Sequence, residues 1–350
     1  MTVGATLFQQ DILKLAFEVH RITEEKINVI ETLTRRTKTL SLNARIEASR
    51  AGQQGAAFEV VAQEMSQFAN EVGQLSTELR GAIASNISRI ENAGEAMMLD
   101  FRGSRFADLS RNVVEIIDRN LYERSCDVRW WATDSAIVNA ATRGSEDPNL
   151  LRQASARLAT ILRSYTVYLD LWIADRNGKI ICNGRGDRYH SVIGQDVSKE
   201  EWFRKAMRTA TGDDFAVCDI ARNSILHNSA VATYSTAIRT NGETFGEPIG
   251  ALGIFFDWEP QAQDIVKGVA LTDDEKRTCR VMLLNADFQI IASSDDHGFL
   301  TDKFPLNLIN SERAYYRAGD NMVSYALTPG YETYTGLGWY GCIESAVPTY

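Results

Sequence analysis

The side chains best suited to nucleophilic or metal chemistry are scattered along this sequence. Its four histidines and five cysteines form no CxxC pair and show no metal-ligand spacing: they are His20, His190, His227 and His297, and Cys126, Cys182, Cys218, Cys279 and Cys342. The run Asp295–His297 could offer ligands, but such a loop is more often solvated. We find no phosphate-binding glycine loop, dinucleotide fingerprint or nucleophile elbow. The sequence therefore predicts a protein that is not an enzyme and that uses no metal or cofactor.

Composition and charge indicate which kinds of binding partner and which cellular location to expect. The chain has 350 residues, enough for two or three domains, and a formal net charge of −9, which disfavours binding to a nucleic-acid backbone. No run approaches the roughly 18 apolar residues that can span a bilayer. The amino-terminal residues lack the basic and then apolar pattern of a signal peptide. An odd number of scattered cysteines is typical of a protein whose thiols stay reduced, as they do in the cytoplasm. We therefore expect a cytoplasmic protein, and one without a membrane span.

The first hundred residues have the pattern of two long helices. Apolar residues step by three and four along the second half, which is typical of a coiled-coil seam: Phe58, Val61, Met65, Phe68, Val72, Leu75, Leu79 and Ala82. A more polar stripe marks the first half: Leu15, Val19, Ile22, Val29, Leu33 and Leu40. Gly52 and Gly55 lie between arms of nearly equal length and predict a reversal there. We expect an antiparallel hairpin whose seams face each other, and which forms a four-helix bundle as a homodimer.

Residues 37–65, TKTLSLNARIEASRAGQQGAAFEVVAQEM, resemble the hairpin tip of bacterial methyl-accepting chemotaxis proteins. The residues that match the pattern of that family are Leu40, Leu42, Asn43, Ala44, Ile46, Glu47, Ala48, Arg50, Ala51, Gly52, Gln54, Gly55, Phe58, Val60, Val61, Ala62 and Glu64. The resemblance implies a tip that binds a chemotaxis histidine kinase and a coupling adaptor. It implies polar contacts by Asn43, Glu47, Arg50 and Glu64, and apolar contacts by Leu40, Leu42 and Val60.

The tip also departs from that pattern. Arg35, Arg36, Lys38 and Arg45 replace neutral or apolar residues, and like charges close to a trimer axis would repel one another. The acidic pair Glu24–Glu25 lacks the flanking small residues of a methylation site, so we expect a solvated face there.

Behind the hairpin, the pattern first predicts helices over 105–145 and up to about residue 164, and then strands. Strands are predicted at 165–173, 179–182, 214–219, 229–239 and 247–257, with a helix over about 199–209 between them, and again at 279–284, 288–292, 322–327 and 336–344. The order resembles the double Cache sensor domains of bacterial receptors. The segments that carry this resemblance are RNLYERSCDVRWWATD (119–134), WIADRNGKII (172–181), IGQDVSKEEWFRKAM (193–207) and IGALGIFFDW (249–258).

The predicted fold class is multidomain α plus α/β, with a coiled-coil hairpin and a long helix preceding two PAS-like Cache modules with antiparallel sheets. The predicted domains are the signalling hairpin (1–98), the connecting and dimerisation helices (99–164), a ligand-binding module (165–260) and a second module (276–346). A break near Gly103 would separate the hairpin from the next helix.

The Cache resemblance implies a ligand site in the first module. Trp202 and Phe203 stand at its aromatic positions, and Asp257 stands where relatives that bind amines place a carboxylate. Asp219 and Tyr234 lie on strands that could line the same pocket. An aromatic wall with a carboxylate suits an amine or purine-like ligand. The alternative is that Trp202 and Phe203 simply pack in the core and that Asp257 is a strand-end carboxylate with its hydrogen bonds satisfied.

These observations together predict a cytoplasmic, homodimeric sensory transducer. It would bind a small molecule in the Cache region and signal through the hairpin to a histidine kinase and adaptor. The alternative is a ligand-binding homodimer whose hairpin serves only for dimerisation.

Overall fold

The computed structural model describes residues 2–310 and 312–347, with side chains from residue 14 onward. Met1, where the first predicted domain begins, lies outside the described residues. The chain divides into two compact units, one ending at Arg102 and the other beginning at Gly103. No helix in the described part of the chain is both long enough and apolar enough to cross a membrane.

Two long helices and a tight turn build the first unit. Helix α1 spans Thr2–Arg50, a 3-10 turn spans Gly52–Gly55, and helix α2 spans Ala56–Trp131. Gly52 has a φ of +61°, in the left-handed region that glycine adopts without strain, so it can end α1. At Gly55 a Cβ atom would lie 2.1 Å from the carbonyl oxygen of Ala48, so only glycine lets the turn close against α1.

Small side chains, and not the predicted seam, hold the two helices together. The buried positions recur every seven residues along both arms: Ile27, Thr34, Ser41 and Ala48 on α1, then Gly55 at the end of the turn, and Ala62, Ala69 and Ser76 on α2. The Ser41 hydroxyl donates to the Ala62 carbonyl at 2.7 Å. Arg80 pairs with Glu24 and Glu31. These contacts place the helices antiparallel.

The expectation that the two large apolar seams face each other is therefore wrong for a single chain. Phe58, Phe68 and Leu75 are 72, 64 and 63% exposed. On α1, Leu15, Leu33 and Leu40 are likewise exposed. Small residues allow the two backbones to approach closely, and this packing turns the larger side chains outward.

The expected break at Gly103 is also wrong, because α2 continues through this residue to Trp131. A Cβ atom at Gly103 would lie 2.2 Å from the Tyr315 ring. The Ser324 hydroxyl donates to the Gly103 carbonyl at 3.3 Å. The glycine at this position permits close packing of α2 and does not end the helix.

In its described residues, the second unit contains the remaining part of α2, five shorter helices and two antiparallel sheets. Helices α3 (Ser135–Arg143) and α4 (Pro148–Ser164) precede the first sheet. This sheet contains β1 (Tyr168–Asp175), β2 (Ile180–Asn183), β3 (Ala216–Asn223), β4 (Ser229–Arg239) and β5 (Pro248–Asp257), with α5 (Glu201–Ala206) between β2 and β3. Its strand order is β2-β1-β5-β4-β3.

The second sheet repeats the topology of the first. Helices α6 (Trp258–Lys267) and α7 (Asp273–Thr278) lead into β6 (Cys279–Leu284), β7 (Ile290–Ser293), β8 (Arg313–Ala318), β9 (Asn321–Leu327) and β10 (Tyr340–Ala346). The order β7-β6-β10-β9-β8 is that of the first sheet, strand for strand. Long helices followed by two antiparallel sheets are therefore confirmed as the architecture.

One face of the first sheet and one face of the second belong to a common apolar core with α2. Trp258 is a fully buried member of this core, and its indole N–H donates to the Ile291 carbonyl at 2.6 Å. The other face of the first sheet is covered by α5 and forms a separate cluster around Trp172, Trp202 and Phe255.

Candidate functional site

A cavity of about 210 Å³ lies between α5 and the first sheet. Strands β1, β3 and β4, α5 and the segments before α5 and after β3 supply its walls: Trp172, Val197, Glu200, Glu201, Trp202, Cys218, Asp219, Ala221, Arg222, Asn223, Ser224, Ile225, Val231 and Thr233. We call it the α5 cavity. Its aromatic surface comes from two tryptophans, whose rings are 6.5 Å apart in an edge-to-face arrangement.

Acidic groups outnumber basic groups in the lining of the α5 cavity. Glu200, Glu201 and Asp219 face it together with one cation, Arg222. Glu201 is paired with Lys205 at 2.7 Å. In the described residues, Glu200 has neither a side-chain hydrogen bond nor an ion pair, so its charge is available to a bound group. The Arg222 guanidinium donates to the Asn228 carbonyl at 3.1 Å.

Trp202 is both a wall of the cavity and part of the core. It is 5% exposed and packs edge to face against Phe255, at 5.8 Å between ring centroids. Gly253 on β5 leaves room for this ring, because a Cβ atom there would lie 2.9 Å from it. Phe203 is 6% exposed and belongs to the same cluster but does not line the cavity.

The carboxylate of Asp219 is shared between the cavity and the second sheet. Its oxygens accept hydrogen bonds from the Ile220 N–H at 2.8 Å, the Trp339 indole at 3.1 Å and the Asn285 amide at 3.2 Å. A group that disturbs Asp219 would therefore also disturb contacts with the second sheet.

Tyr234 lies on the opposite face of the first sheet from Trp202, so the structure does not place it in the predicted pocket. It is fully buried in the core that includes α2, and its hydroxyl lies 3.5 Å from that of Tyr334. On β4, Val231 faces α5, and Tyr234 is three positions further along. Strand alternation sends these two side chains to opposite faces.

Asp257 lines a different cavity, of about 290 Å³, together with Ser229, Glu259 and Gln263 among others. Partial burial raises the pKa of this carboxyl group, and the nearby Arg188 opposes the rise. Of the five predicted ligand residues, the structure brings together Trp202 and Asp219 in one cavity and places Phe203, Tyr234 and Asp257 elsewhere.

Two residues of this site, Trp172 and Arg222, carry no signal of ligand binding in the sequence pattern. Trp172 lies in a run of buried residues on β1, where its type and position are those of a core residue. Arg222 occupies an ordinary exposed position near the end of β3. Only the position of α5 over the sheet brings these two side chains to one cavity.

All seven predicted tip residues lie on the surface of the hairpin end. Leu40, Leu42 and Val60 are 60, 56 and 60% exposed. The polar four, Asn43, Glu47, Arg50 and Glu64, are also exposed. Arg50 forms an ion pair with Glu47 at 2.8 Å, one turn apart on α1. The end of the hairpin therefore presents apolar and charged groups side by side.

Comparison with known families and proteins supports a chemoreceptor-like protein. Residues 8–115 match the model of the methyl-accepting chemotaxis protein (MCP) signalling domain. The methyl-accepting chemotaxis aspartate transducer of Klebsiella aerogenes is 33% identical over 91 residues, which are 26% of this chain and 17% of that protein. The biofilm dispersion protein BdlA of Pseudomonas aeruginosa is 37% identical over 90 residues, which are 26% of this chain and 20% of that protein. The matched region spans about a fifth or less of these relatives' own length.

Two solved structures share the fold of the larger part of the chain. The sensor domain of the Vibrio cholerae histidine kinase DctB superposes with a TM-score of 0.52 at 13% identity, covering 73% of this chain and 99% of that chain. A domain of a sensory box/GGDEF family protein from Vibrio parahaemolyticus superposes with a TM-score of 0.54 at 12% identity, and the match covers 71% of this chain and 97% of that chain. At this level of identity the similarity concerns the fold.

Proposed function

We propose that this chain is a chemotaxis-type sensory transducer that binds a small molecule in the α5 cavity and signals through α2 to the hairpin tip. In this proposal it works as a homodimer without catalytic chemistry of its own. The observation that carries the proposal is that a single helix, α2, contributes both to the hairpin with the MCP match and to the core of the two-sheet unit.

Two buried carboxyl groups anchor α2 to the two sheets. Asp127 is 8% exposed and accepts a hydrogen bond from the Tyr168 hydroxyl on β1 at 2.6 Å. Asp118 is 2% exposed and accepts from the Thr328 hydroxyl and from the Gly330 N–H, just after β9. A shift of either sheet would therefore pull on α2 through a strong, directional contact.

The lining of the α5 cavity favours a cationic ligand. An unpaired carboxylate at Glu200 can stabilise an ammonium group through a charge-assisted hydrogen bond, and the tryptophan rings in the wall, Trp172 and Trp202, can add a cation–π contact. An amine or an amino-substituted purine has this chemistry. Arg222 would repel such a ligand and limits its position to the side of the cavity away from the guanidinium.

The exposed apolar side chains of the hairpin supply a surface for a second copy. Phe58, Phe68, Leu75 and Leu79 remain 72, 64, 63 and 47% exposed along α2. A continuous apolar stripe of this length is typical of a protein interface. Pairing two hairpins would bury the stripe in a four-helix bundle and leave the tip residues free to contact a histidine kinase and a coupling adaptor.

Ligand binding can be tested on the full chain by a thermal-shift screen against amines, purines and organic acids, followed by calorimetry. We expect Glu200→Gln to weaken binding of an amine about tenfold, and Arg222→Gln to strengthen it. Glu247→Gln, a change of the same type at an exposed position away from the cavity, serves as the control. Equal affinity in the Glu200 variant and the control would rule out this site.

Kinase coupling can be tested with purified histidine kinase and adaptor by measuring kinase autophosphorylation and adaptor capture. We expect both to depend on the tip and to fall with Arg50→Glu, which places two acidic groups at Glu47 and position 50. Arg89→Glu, at an exposed position on α2 away from the tip, changes the charge by the same amount and serves as the control. Dimers that neither capture the adaptor nor alter the kinase would favour the alternative, a hairpin that serves only for dimerisation.

A further inference from the structure

A second cavity in the two-sheet unit lies where α2 ends and the β4–β5 connection begins. Its volume is about 310 Å³, and its lining comprises Cys126, Arg129, Trp130, Ala132, Thr133, Gly212, Asp213, Ala237, Arg239, Gly242, Glu243 and Thr244. We call it the α2-end cavity. It shares no residue with the α5 cavity.

Arg239 is a buried cation in this lining. The residue is 5% exposed and donates to the carbonyl oxygens of Gly246, at 2.8 Å, and Thr209. Its Nε atom is buried without a hydrogen-bond partner. A guanidinium whose described partners are neutral oxygens retains its full charge, and burial without a counter-charge costs stability.

Arg129 brings a second guanidinium to the same cavity from the last turn of α2. It donates to the carbonyl oxygens of Ser125 at 2.9 Å and Asp213 at 3.2 Å, and to the Cys126 Sγ at 3.5 Å, and it lies over the ring of Phe215 at 5.6 Å. These partners hold the guanidinium in place but do not neutralise it. Among the described residues, no carboxylate lies within ion-pair distance of Arg129 or Arg239.

The acidic groups near the cavity do not supply the missing counter-charge. Asp213 and Glu243 are exposed members of the lining. Asp214, whose pKa is lowered first by the Thr211 N–H and more weakly by Arg239, directs its carboxylate to Thr211. The cavity therefore combines two held cations with room for a small molecule.

We propose that the α2-end cavity is a second binding site, specific for a small carboxylate. A carboxylate can accept paired hydrogen bonds from a guanidinium, and two arginines suit a ligand with two such groups. Trp130, which is 69% exposed, offers an apolar surface at the cavity for the carbon chain of the ligand. Since Arg129 and Trp130 belong to the last turn of α2, occupancy would act directly on the helix that the proposed signal uses.

This site goes beyond the proposed function and is tested independently of it. Calorimetry on the full chain would use succinate and citrate as carboxylates, inorganic phosphate as an oxyanion without carbon, and succinamide as the neutral match. We expect saturable binding of a carboxylate, no binding of succinamide, and weaker or no binding of phosphate. If phosphate binds and neither carboxylate does, the cavity is a phosphate site and the proposal of a carboxylate ligand is wrong.

Variants assign the binding to this cavity. Arg129→Gln should weaken carboxylate binding about tenfold or more, while Arg143→Gln, a change at an exposed arginine in the last turn of α3, should leave it unchanged. Arg239→Lys preserves the charge, and its thermal unfolding shows whether the fold is kept. The folded variant should bind several-fold more weakly, because lysine cannot form paired hydrogen bonds. Glu200→Gln should have no effect on the carboxylate. The absence of saturable heat with every anion, or equal affinity in Arg129→Gln and Arg143→Gln, would refute the site.

Discussion

Asp170 on β1 is a buried carboxyl group whose hydrogen bonds are all supplied by the protein. One oxygen accepts from the N–H groups of Leu171, Gly184 and Arg185, and the other accepts from the Trp172 indole and the Asn183 amide. These donors position Trp172, which is a wall of the α5 cavity. Asp170 therefore has a positioning role behind the site.

We expect Asp170→Asn to destabilise the protein by about 3 kcal/mol, because an amide NH₂ would face donors and leave them unsatisfied. Urea unfolding measures the change. Asp187→Asn, at an exposed position, is the control and should be close to neutral. A loss no larger than that of the control would contradict the role assigned to the five hydrogen bonds.

The same variant has a defined pH dependence. Burial raises the pKa of Asp170, although its hydrogen bonds lower it. When the pKa of a carboxyl group is raised in the folded state, the folded protein binds the proton more tightly than the unfolded chain does. Stability therefore rises as the pH falls from the folded-state pKa towards the unfolded-state pKa. From about pH 7 to about pH 4, the wild type should therefore gain stability relative to Asp170→Asn. A constant difference across this range would show that the pKa is not raised.

At the scale of elements, the hairpin depends on small residues where its helices meet. Gly55→Ala should destabilise the turn, because its Cβ atom would lie 2.1 Å from the Ala48 carbonyl. The matched change Gly81→Ala, within α2 and with open space around it, should stabilise the helix by about 1 kcal/mol. Thermal unfolding and hydrogen exchange of α1 and α2 would compare the two. We expect the two substitutions to change the stability in opposite directions. Equal changes in stability would contradict the close approach of Gly55 to the Ala48 carbonyl.

The exposed stripe of α2 predicts the oligomeric state. Phe68→Lys, at a side chain that is 64% exposed, should convert a homodimer into a monomer, because a buried charge would lack a partner at the interface. Gln63→Lys, at an exposed polar position on the same helix, should leave the dimer intact. Light scattering after size-exclusion chromatography distinguishes the two. A wild-type chain that is already monomeric at high concentration would contradict the proposed dimer.

At the scale of the whole molecule, the two sheets have the same strand order, and both are anchored to α2. The anchor at Asp127 includes Arg124, whose guanidinium lies 3.4 Å from the carboxylate and packs over the Tyr168 ring at 5.3 Å. Burial raises the pKa of Asp127, while the hydrogen bond from Tyr168 lowers it. This cluster connects β1, beside the α5 cavity, to the helix.

Asp127→Asn should retain ligand binding but lose the ligand-dependent change in hydrogen exchange along α2. The reason is that the amide cannot pair with Arg124 and holds the Tyr168 hydroxyl less strongly. Glu123→Gln is a matched control, since Glu123 is exposed and pairs with the same arginine at 2.9 Å. If both variants respond to ligand as the wild type does, the proposed route through Asp127 is wrong.

Local pattern was sufficient to predict many elements of this fold. The strands Ser229–Arg239 and Cys279–Leu284 have the predicted bounds, and α1 ends at Arg50, two residues before Gly52. Strand β8 was missed, because its residues are partly or fully exposed and its sequence, RAYYRA, has no apolar alternation. The strand exists because β9 supplies a hydrogen-bonded edge, which is a nonlocal cause.

The sequence by itself determined the periodicity of the helices and strands, the position of the turn and the family pattern of the tip, since these follow from neighbours along the chain. Only the tertiary structure decided which surfaces meet. It placed small residues between α1 and α2, turned Tyr234 away from Trp202, and separated Asp257 from Asp219. These outcomes depend on how distant segments pack. Shifting a strand by one residue moves each of its side chains to the other face of the sheet, and rotating a helix by part of a turn likewise moves its side chains to another surface.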